Sequence, residues 1–422
     1  MRKNINKLVA VAIGVSIMSG SVIPAFAADT TTQNTNTSTS VQAQTNGKSV
    51  FTLDDAIKAA ISNSDTLTLD EQKISYQDKI NGVNKKIDDF NLTSSTITDE
   101  KQTLDNDTAD ITLKQLKQQR DFDEDSLIQK TTTEYNSVVT SEKQIDKAAK
   151  SLEIKNKELN DTKLKNSLGI VTTTDLTATQ LQIEGLQNAQ KSSQNKLKDA
   201  EDSFKVLTGK DVSQYTLEQD IKYDTFKIDG SVDEYLDNSI ENYLKYSTQL
   251  IQLNKDYLND NKVTEPSEPT DSLPPKPDFG SITIDEFNKY ETDLSNYNQE
   301  RTIYAAKLSG RLAYLNAKLG TYESETNINE TKKKFKDQLR SFYTNLLTTE
   351  DSINLLKKNI ELNNKQLSDA KLKWDLGLIT KSDYNNQVVS SEDLDLQLRS
   401  AIDSYNTLKE DIQKPWIAFS QS

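Results

Sequence analysis

Two stretches of this chain align without a gap at an offset of 208: LNDTKLKNSLGIVTTTDL (159–176) and LSDAKLKWDLGLITKSDY (367–384). They share Leu159/Leu367, Asp161/Asp369, Lys-Leu-Lys at 163–165 and 371–373, Leu168/Leu376, Gly169/Gly377, Thr172/Thr380 and Asp175/Asp383. Any fold for this chain must therefore contain one local structure twice. Upstream the match persists as pattern: Val138, Ile145, Leu152 and Leu159 stand seven apart, opposite Leu346, Ile353, Ile360 and Leu367. Sustained seven-residue spacing marks helices packed along a narrow apolar seam. Downstream, Leu176, Ile183, Leu186, Leu197, Ala200, Phe204 and Leu207 keep three/four spacing, as do Tyr384, Val388, Leu394, Leu398, Ala401, Tyr405, Leu408 and Ile412. Each repeat predicts helix, tight turn, helix.

The turn has its own chemistry. Gly169 and Gly377 fall where a helix C-terminus needs a residue tolerant of positive φ. Thr172-x-x-Asp175 and Thr380-x-x-Asp383 then read as capping boxes for the returning helix. The incoming arm of the first repeat is expected from about 126 to 168. Thr52 caps a short helix that carries Asp54 and Asp55 in its first turn. That helix, LDDAIKAAISNS (53–64), resembles VDEYLDNSIENY (232–243) at an offset of 179, so the second half holds an insertion. Its source is EPSEPTDSLPPKPDFG (265–280), which contains five of the seven prolines and cannot be helix. A helix follows it, and a polar loop near 91–108 stands at the equivalent place in the first half. The expected division is a first hairpin repeat over 51–231 and a second over 232–422 with the Pro-rich insert at 264–280.

Composition agrees with the pattern. Gly (12) and Pro (7) are far scarcer than turn-rich β architectures require. With 34% apolar residues and a mean hydropathy of −0.72, one large core is excluded as well. The fold class is all-α: long antiparallel helical hairpins, duplicated in tandem and packed as coiled coils.

Residues 1–27 read as a secretory signal peptide, with Arg2, Lys3 and Lys7, an apolar run from Leu8 to Met18, and Ala25-Phe26-Ala27 at the cleavage site. That run is too short to cross a bilayer, and no later segment approaches the length needed, so no direct membrane span is expected in the mature chain. No cysteine follows the cleavage site for a lipid anchor. Residues 28–50 read as a disordered polar tether. From residue 28 onward, 48 basic stand against 65 acidic residues, a formal charge of −17 that disfavours nucleic acid.

The chain has no His and no Cys, which removes Ser-His-Asp and Cys-His catalysis, imidazole or thiolate zinc sites and disulfides. DFDEDSLIQKTT (121–132) begins with calcium-loop spacing but has Ser126 and Thr132 where Gly and Glu are needed. A solvated acidic helix face explains it better. Gly209-Lys210 lacks the rest of a phosphate loop. No catalytic residue, metal site or cofactor is expected.

A signal peptide, a duplicated helical hairpin and a Gly-(Leu/Ile)-(Ile/Val)-x-x-x-Asp turn together resemble the TolC-like outer-membrane efflux and secretion duct family. The resemblance runs over about 50–412, with specificity in the two Gly-turn segments. It implies a homotrimer whose hairpins close into a hollow α-barrel. It further implies that the turns meet a membrane-fusion-type adaptor and an inner-membrane exporter. Gly169, Thr172, Asp175, Gly377, Thr380 and Asp383 are then the tip-turn and partner-docking residues. Asp175 and Asp383 match the family's acidic tip position, though helix capping alone would explain an Asp there. Asn386 and Ile379 depart from positions where the family can carry a second Asp and an Arg, so any gate would differ.

The family's membrane β-hairpins are expected within about 91–125 and 262–285. NLTSSTIT (91–98) is too polar for that role and the Pro-rich insert cannot form ladders. The expectation is a member that kept the helical part and lost the membrane barrel. It would be exported to the cell envelope or beyond, or to an outer membrane if the organism has one. Two functions follow: a non-enzymatic efflux or secretion duct component, or a coiled-coil structural or interaction protein of the envelope with no transport role.

Overall fold

A computed structural model describes residues 48–93 and 98–419. The signal peptide and most of the polar tether lie outside the described residues. Helices dominate: α1 (Leu53–Ser62), α2 (Asp65–Thr93), α3 (Asp99–Ser167), α4 (Thr173–Thr208), α5 (Val232–Tyr243), α6 (Lys245–Asp260), α7 (Ile284–Asp375), α8 (Lys381–Gln413) and α9 (Pro415–Phe419). The strands among the described residues are β1 (Val50–Phe51) and β2 (Thr216–Leu217), a parallel pair. No described helix is long and apolar enough to cross a membrane. The expected membrane-hairpin segments hold no strand among their described residues.

Three sequence expectations need correction. The end of the tether is held in place, because Val50 pairs with Thr216 and Lys48 donates to the Ser213 carbonyl at 2.6 Å. The loop expected near 91–108 is mostly helix: α3 begins at Asp99, with the Thr98 hydroxyl accepting from Lys101 N at 3.3 Å. The helices are also longer than periodicity indicated, with α3 reaching 69 residues and α7 92. The Pro-rich insert is irregular as expected, and Thr283 and Glu286 box the start of α7.

The chain forms two compact units that cut across the two repeats. Among described residues, one contains 73–117 and 244–334, where four helical segments are bonded in series. Asn81 of α2 donates to the Ala109 carbonyl of α3 at 3.1 Å, and Gln102 of α3 donates to Asp89 at 2.7 Å. Gln115 of α3 reaches Ser247 of α6 at 3.4 Å. Burial, then the nearby Asp105 and Glu100 carboxylates, raise the pKa of the Tyr257 phenol on α6. Lys255 of α6 pairs with Glu325 of α7 at 2.7 Å.

The other unit holds described residues 48–72, 118–243 and 335–419. Its core joins Phe51, Ala56, Tyr135, Val138, Val139, Ala200, Phe204, Val212 and Leu217. A second cluster is aromatic: Trp416 of α9 stacks on Phe122 at 4.4 Å and Phe419 stacks on Phe335 at 3.7 Å. Asp125 fixes α9 by accepting from Lys414 at 2.8 Å and from Trp416 Nε1 at 3.0 Å. The stretch 121–132 is thus helix rather than calcium loop, with one of its acids committed to α9.

Between α3 and α8 lies a buried polar network. Arg399, only 6% exposed, donates to Thr140 Oγ1 (3.1 Å), the Gln219 carbonyl (2.6 Å) and Asn136 Oδ1 (3.0 Å). Asn136 in turn donates to Asp403 at 2.7 Å. Lys147–Asp393 and Lys150–Glu392 pairs continue the contact toward the tips.

Burial raises the carboxyl pKa values of Glu142, Glu201, Asp403, Glu410 and Asp411. A raised folded pKa contributes stability that is full below the unfolded value of about 4 and is lost as pH rises through the folded value. The melting temperature is therefore expected to increase as pH is lowered from about 7.5 to about 5. Circular-dichroism melts at the two pH values measure this directly.

Candidate functional site

Both helical hairpins end in the same turn, built by the same bonds. In the first, Gly169 adopts φ +72°. Its N–H donates to the Asn166 carbonyl at 2.9 Å, and Ile170 N–H donates to the Lys165 carbonyl at 2.8 Å. In the second, Gly377 adopts φ +73°, with matching bonds from Gly377 to Trp374 (2.9 Å) and from Leu378 to Lys373 (2.8 Å). This six-to-one and five-to-two pairing is the Schellman motif, which satisfies the last carbonyls of α3 and α7.

Each returning helix then opens on a complete capping box. Thr172 N and Oγ1 donate to Asp175 Oδ2 at 2.9 and 2.7 Å, and Asp175 N donates back to Thr172 Oγ1 at 3.2 Å. Thr380 and Asp383 repeat this at 3.0, 2.7 and 3.1 Å. Bonds from the threonine hydroxyl, then from its amide, hold both carboxyls below the usual aspartate range. Both caps lose strength as pH falls through those lowered values. The six residues singled out from sequence thus form two local constellations. Their geometry is that of helix capping, and the same Thr/Asp box recurs at Thr52–Asp55.

Around these turns the surface is apolar. Leu164, Leu168 and Ile170 on one tip, and Leu372, Leu376 and Leu378 on the other, are all more than half exposed at equivalent repeat positions. Sequence reasoning singled out the polar caps and missed this rim. Its signal was present, because apolar residues inside a sharp turn have no seam of their own to fill. The tips differ in one respect: Trp374 stacks on Tyr384 at 5.2 Å, with Lys381 over the indole, where the first tip has Asn166, Leu176 and Thr173.

Substituting alanine at Gly169 or Gly377 places a Cβ in open space, but in a left-handed conformation. Each replacement is expected to destabilise the unit by about 1–2 kcal/mol from backbone strain alone. Urea unfolding of the two single variants checks it, with equal losses expected because the turns are geometrically equivalent.

A cavity of about 630 Å³ lies elsewhere in this unit, lined by Lys143, Lys150, Asp220, Glu392 and Arg399 among others. Its main cations are already committed, Arg399 to the network above and Lys150 to Glu392.

Comparison with solved structures decides the fold. The chain is similar to the Campylobacter jejuni CmeC outer membrane channel, with a TM-score of 0.54 and 13% identity over 86% of this chain and 85% of that one. It is similar to the outer membrane protein VceC of Vibrio cholerae at 0.52 and 10%, covering 86% and 96%. CusC, described through its transmembrane channel formation, matches at 0.55 and 10%, covering 86% and 91%. The fold is TolC-like. The all-α hairpin architecture expected from the repeat is therefore the architecture of the TolC-like channels. No protein-family model matches the chain, and no curated protein matches it. At these identities the TolC-like likeness carries the fold, and the function rests on the site.

Proposed function

We propose that this chain is an exported, non-enzymatic duct component that assembles as a homotrimer. In this reading it conveys substrates beyond the cytoplasmic membrane with an inner-membrane exporter and a membrane-fusion-type adaptor. The observation that carries the reading is the duplicated tip: two Gly-turns of the same backbone geometry, each capped by a Thr/Asp box and each ringed by exposed leucine or isoleucine. Capped turns hold a docking surface still, and exposed apolar residues at repeated positions offer hot-spot contacts to a helical partner. Gly169, Thr172 and Asp175, with Gly377, Thr380 and Asp383, set the shape of that surface. The neighbouring Leu168, Ile170, Leu376 and Leu378 supply its contact area.

A photo-reactive residue placed at Leu378 in living cells tests it. Trapping of a membrane-anchored adaptor subunit is the expected result. Trapping only other envelope proteins, with transport undisturbed in cells lacking the chain, would favour the second reading, a coiled-coil spacer or interaction protein. That alternative draws support from the scarcity of strands among the described residues where a membrane barrel would stand.

A further inference from the structure

The unit formed by 73–117 and 244–334 leaves two apolar stripes uncovered. On α2, Tyr76, Ile80, Val83, Ile87 and Phe90 follow a strict four-three-four-three spacing, and all are exposed. On α7, Leu308, Leu312, Leu315, Leu319 and Tyr322 follow the same spacing over the same length, and all are exposed. The opposite faces of these helices are covered within the chain. Asn81 on α2 is buried against α3, and Tyr314, Thr321 and Ile328, seven apart on α7, are buried as well. Each of these helices therefore has two seams, of which the chain itself fills one.

The bonds within this unit run in series from α2 to α3, α3 to α6 and α6 to α7. Neighbours alternate in direction: rising numbers on α2 meet falling numbers on α3, and Lys255 on α6 followed by Val263 just beyond its end meets Glu325 and then Arg311 on α7. The result is an open layer with α2 and α7 as its outer helices. An open layer with an apolar seam on each border closes by repetition, one border joining the other border of the next copy.

We infer that a second copy of this chain covers these stripes, α7 of one copy lying antiparallel along α2 of the next. The inference rests on the duct reading, which requires a ring, and extends it to a unit whose strands, among described residues, are absent. A narrow a/d stripe fits a partner helix; a lipid surface would call for a broader apolar face. The two stripes also match one another in spacing and length. Lys79 and Lys86 flank the first, and Arg311 and Lys318 the second, so apolar burial drives the pairing and added salt strengthens it by screening.

The natural absence of cysteine gives a clean background for the test. Single cysteines are placed at Ile80→Cys, Val83→Cys or Ile87→Cys on α2, and at Leu312→Cys, Leu315→Cys or Leu319→Cys on α7. Every α2 variant of the full exported chain is mixed with every α7 variant and treated with a short bismaleimide. Light scattering on the same samples reports assembly. The expected result is covalent dimer in at least one α2/α7 mixture and none within any single variant. Links confined to single variants would overturn the inference, because they mean like stripes meet. An assembled chain without any α2/α7 link would overturn it and leave the duct reading standing. A monomer throughout would overturn both. Sedimentation of an unlinked chain with phosphatidylglycerol vesicles would assign the stripes to lipid and also overturn it.

Discussion

Replacing Arg399 with alanine is expected to destabilise the chain by about 3–5 kcal/mol, the range for removing one partner from a buried charged network. Three acceptors lose their donor at once: Thr140 Oγ1, Asn136 Oδ1 and the Gln219 carbonyl. The Gln219 bond matters most for architecture, because it ties the irregular segment between β2 and α5 to α8. Arg399 also lowers the pKa of Asp403, which burial already raises. Without the guanidinium that carboxyl moves further upward, so the deficit of the variant is expected to shrink as pH falls from about 7.5 to about 5. Lysine at the same position keeps the charge but cannot span three acceptors in a fixed fork, and its loss should be intermediate. Urea titrations of Arg399→Ala and Arg399→Lys at both pH values give the comparison. A loss below about 1 kcal/mol for the alanine variant would place Arg399 among ordinary surface ion pairs.

Tyr135 carries the other large effect. Its side chain is 2% exposed in the core cluster. Its hydroxyl donates to the Phe51 carbonyl at 2.7 Å while accepting from Glu218 N at 2.8 Å. It therefore clips β1 and the residue after β2 to the middle of α3. Tyr135→Ala is expected to cost about 3–5 kcal/mol through lost contacts and the cavity left behind. Tyr135→Phe keeps the ring and leaves two backbone groups without their partner, a loss of about 1–3 kcal/mol. Burial pushes the phenol up to about 12. A raised phenol contributes stability that is full below its unfolded value of about 10 and is lost as pH rises through the folded value. The native chain should thus lose stability between about pH 10 and 12, and Tyr135→Phe should lose less over that interval. Alkaline titration followed by circular dichroism separates the two. Identical profiles would assign the alkaline transition to other buried phenols, such as Tyr243.

The parts of this structure that were legible in the sequence are those whose cause is local. A positive-φ glycine, a threonine three residues before an aspartate and a seven-residue apolar period act within one or two helical turns, so both tips could be read at residue level. The seams were legible too, although Val138, Leu346 and Ile353 are fully buried while Leu152 and Leu159 are only half-buried toward the tip. What escaped depends on distant partners. Arg399 is one of 51 basic residues, and its acceptors lie about the chain at Asn136, Thr140 and Gln219. The strand pair has two residues per strand, too short for any alternation to show. Residues 99–108, rich in Asp, Asn and Thr, look like loop because those side chains compete for backbone bonds. Packing in α3 overrides that preference, with Leu104 buried at 6% exposure. The stripes on α2 and α7 obey the heptad rule yet stay exposed, a distinction that periodicity alone does not draw.

The TolC-like duct reading stands or falls on assembly. Light scattering coupled to size exclusion on residues 28–422, at micromolar concentration, measures it most directly. The expected result is one species of three times the chain mass, persisting on dilution and strengthened by salt. A single species of the chain's own mass across the whole concentration range would contradict a closed helical barrel, and with it the proposed transport role.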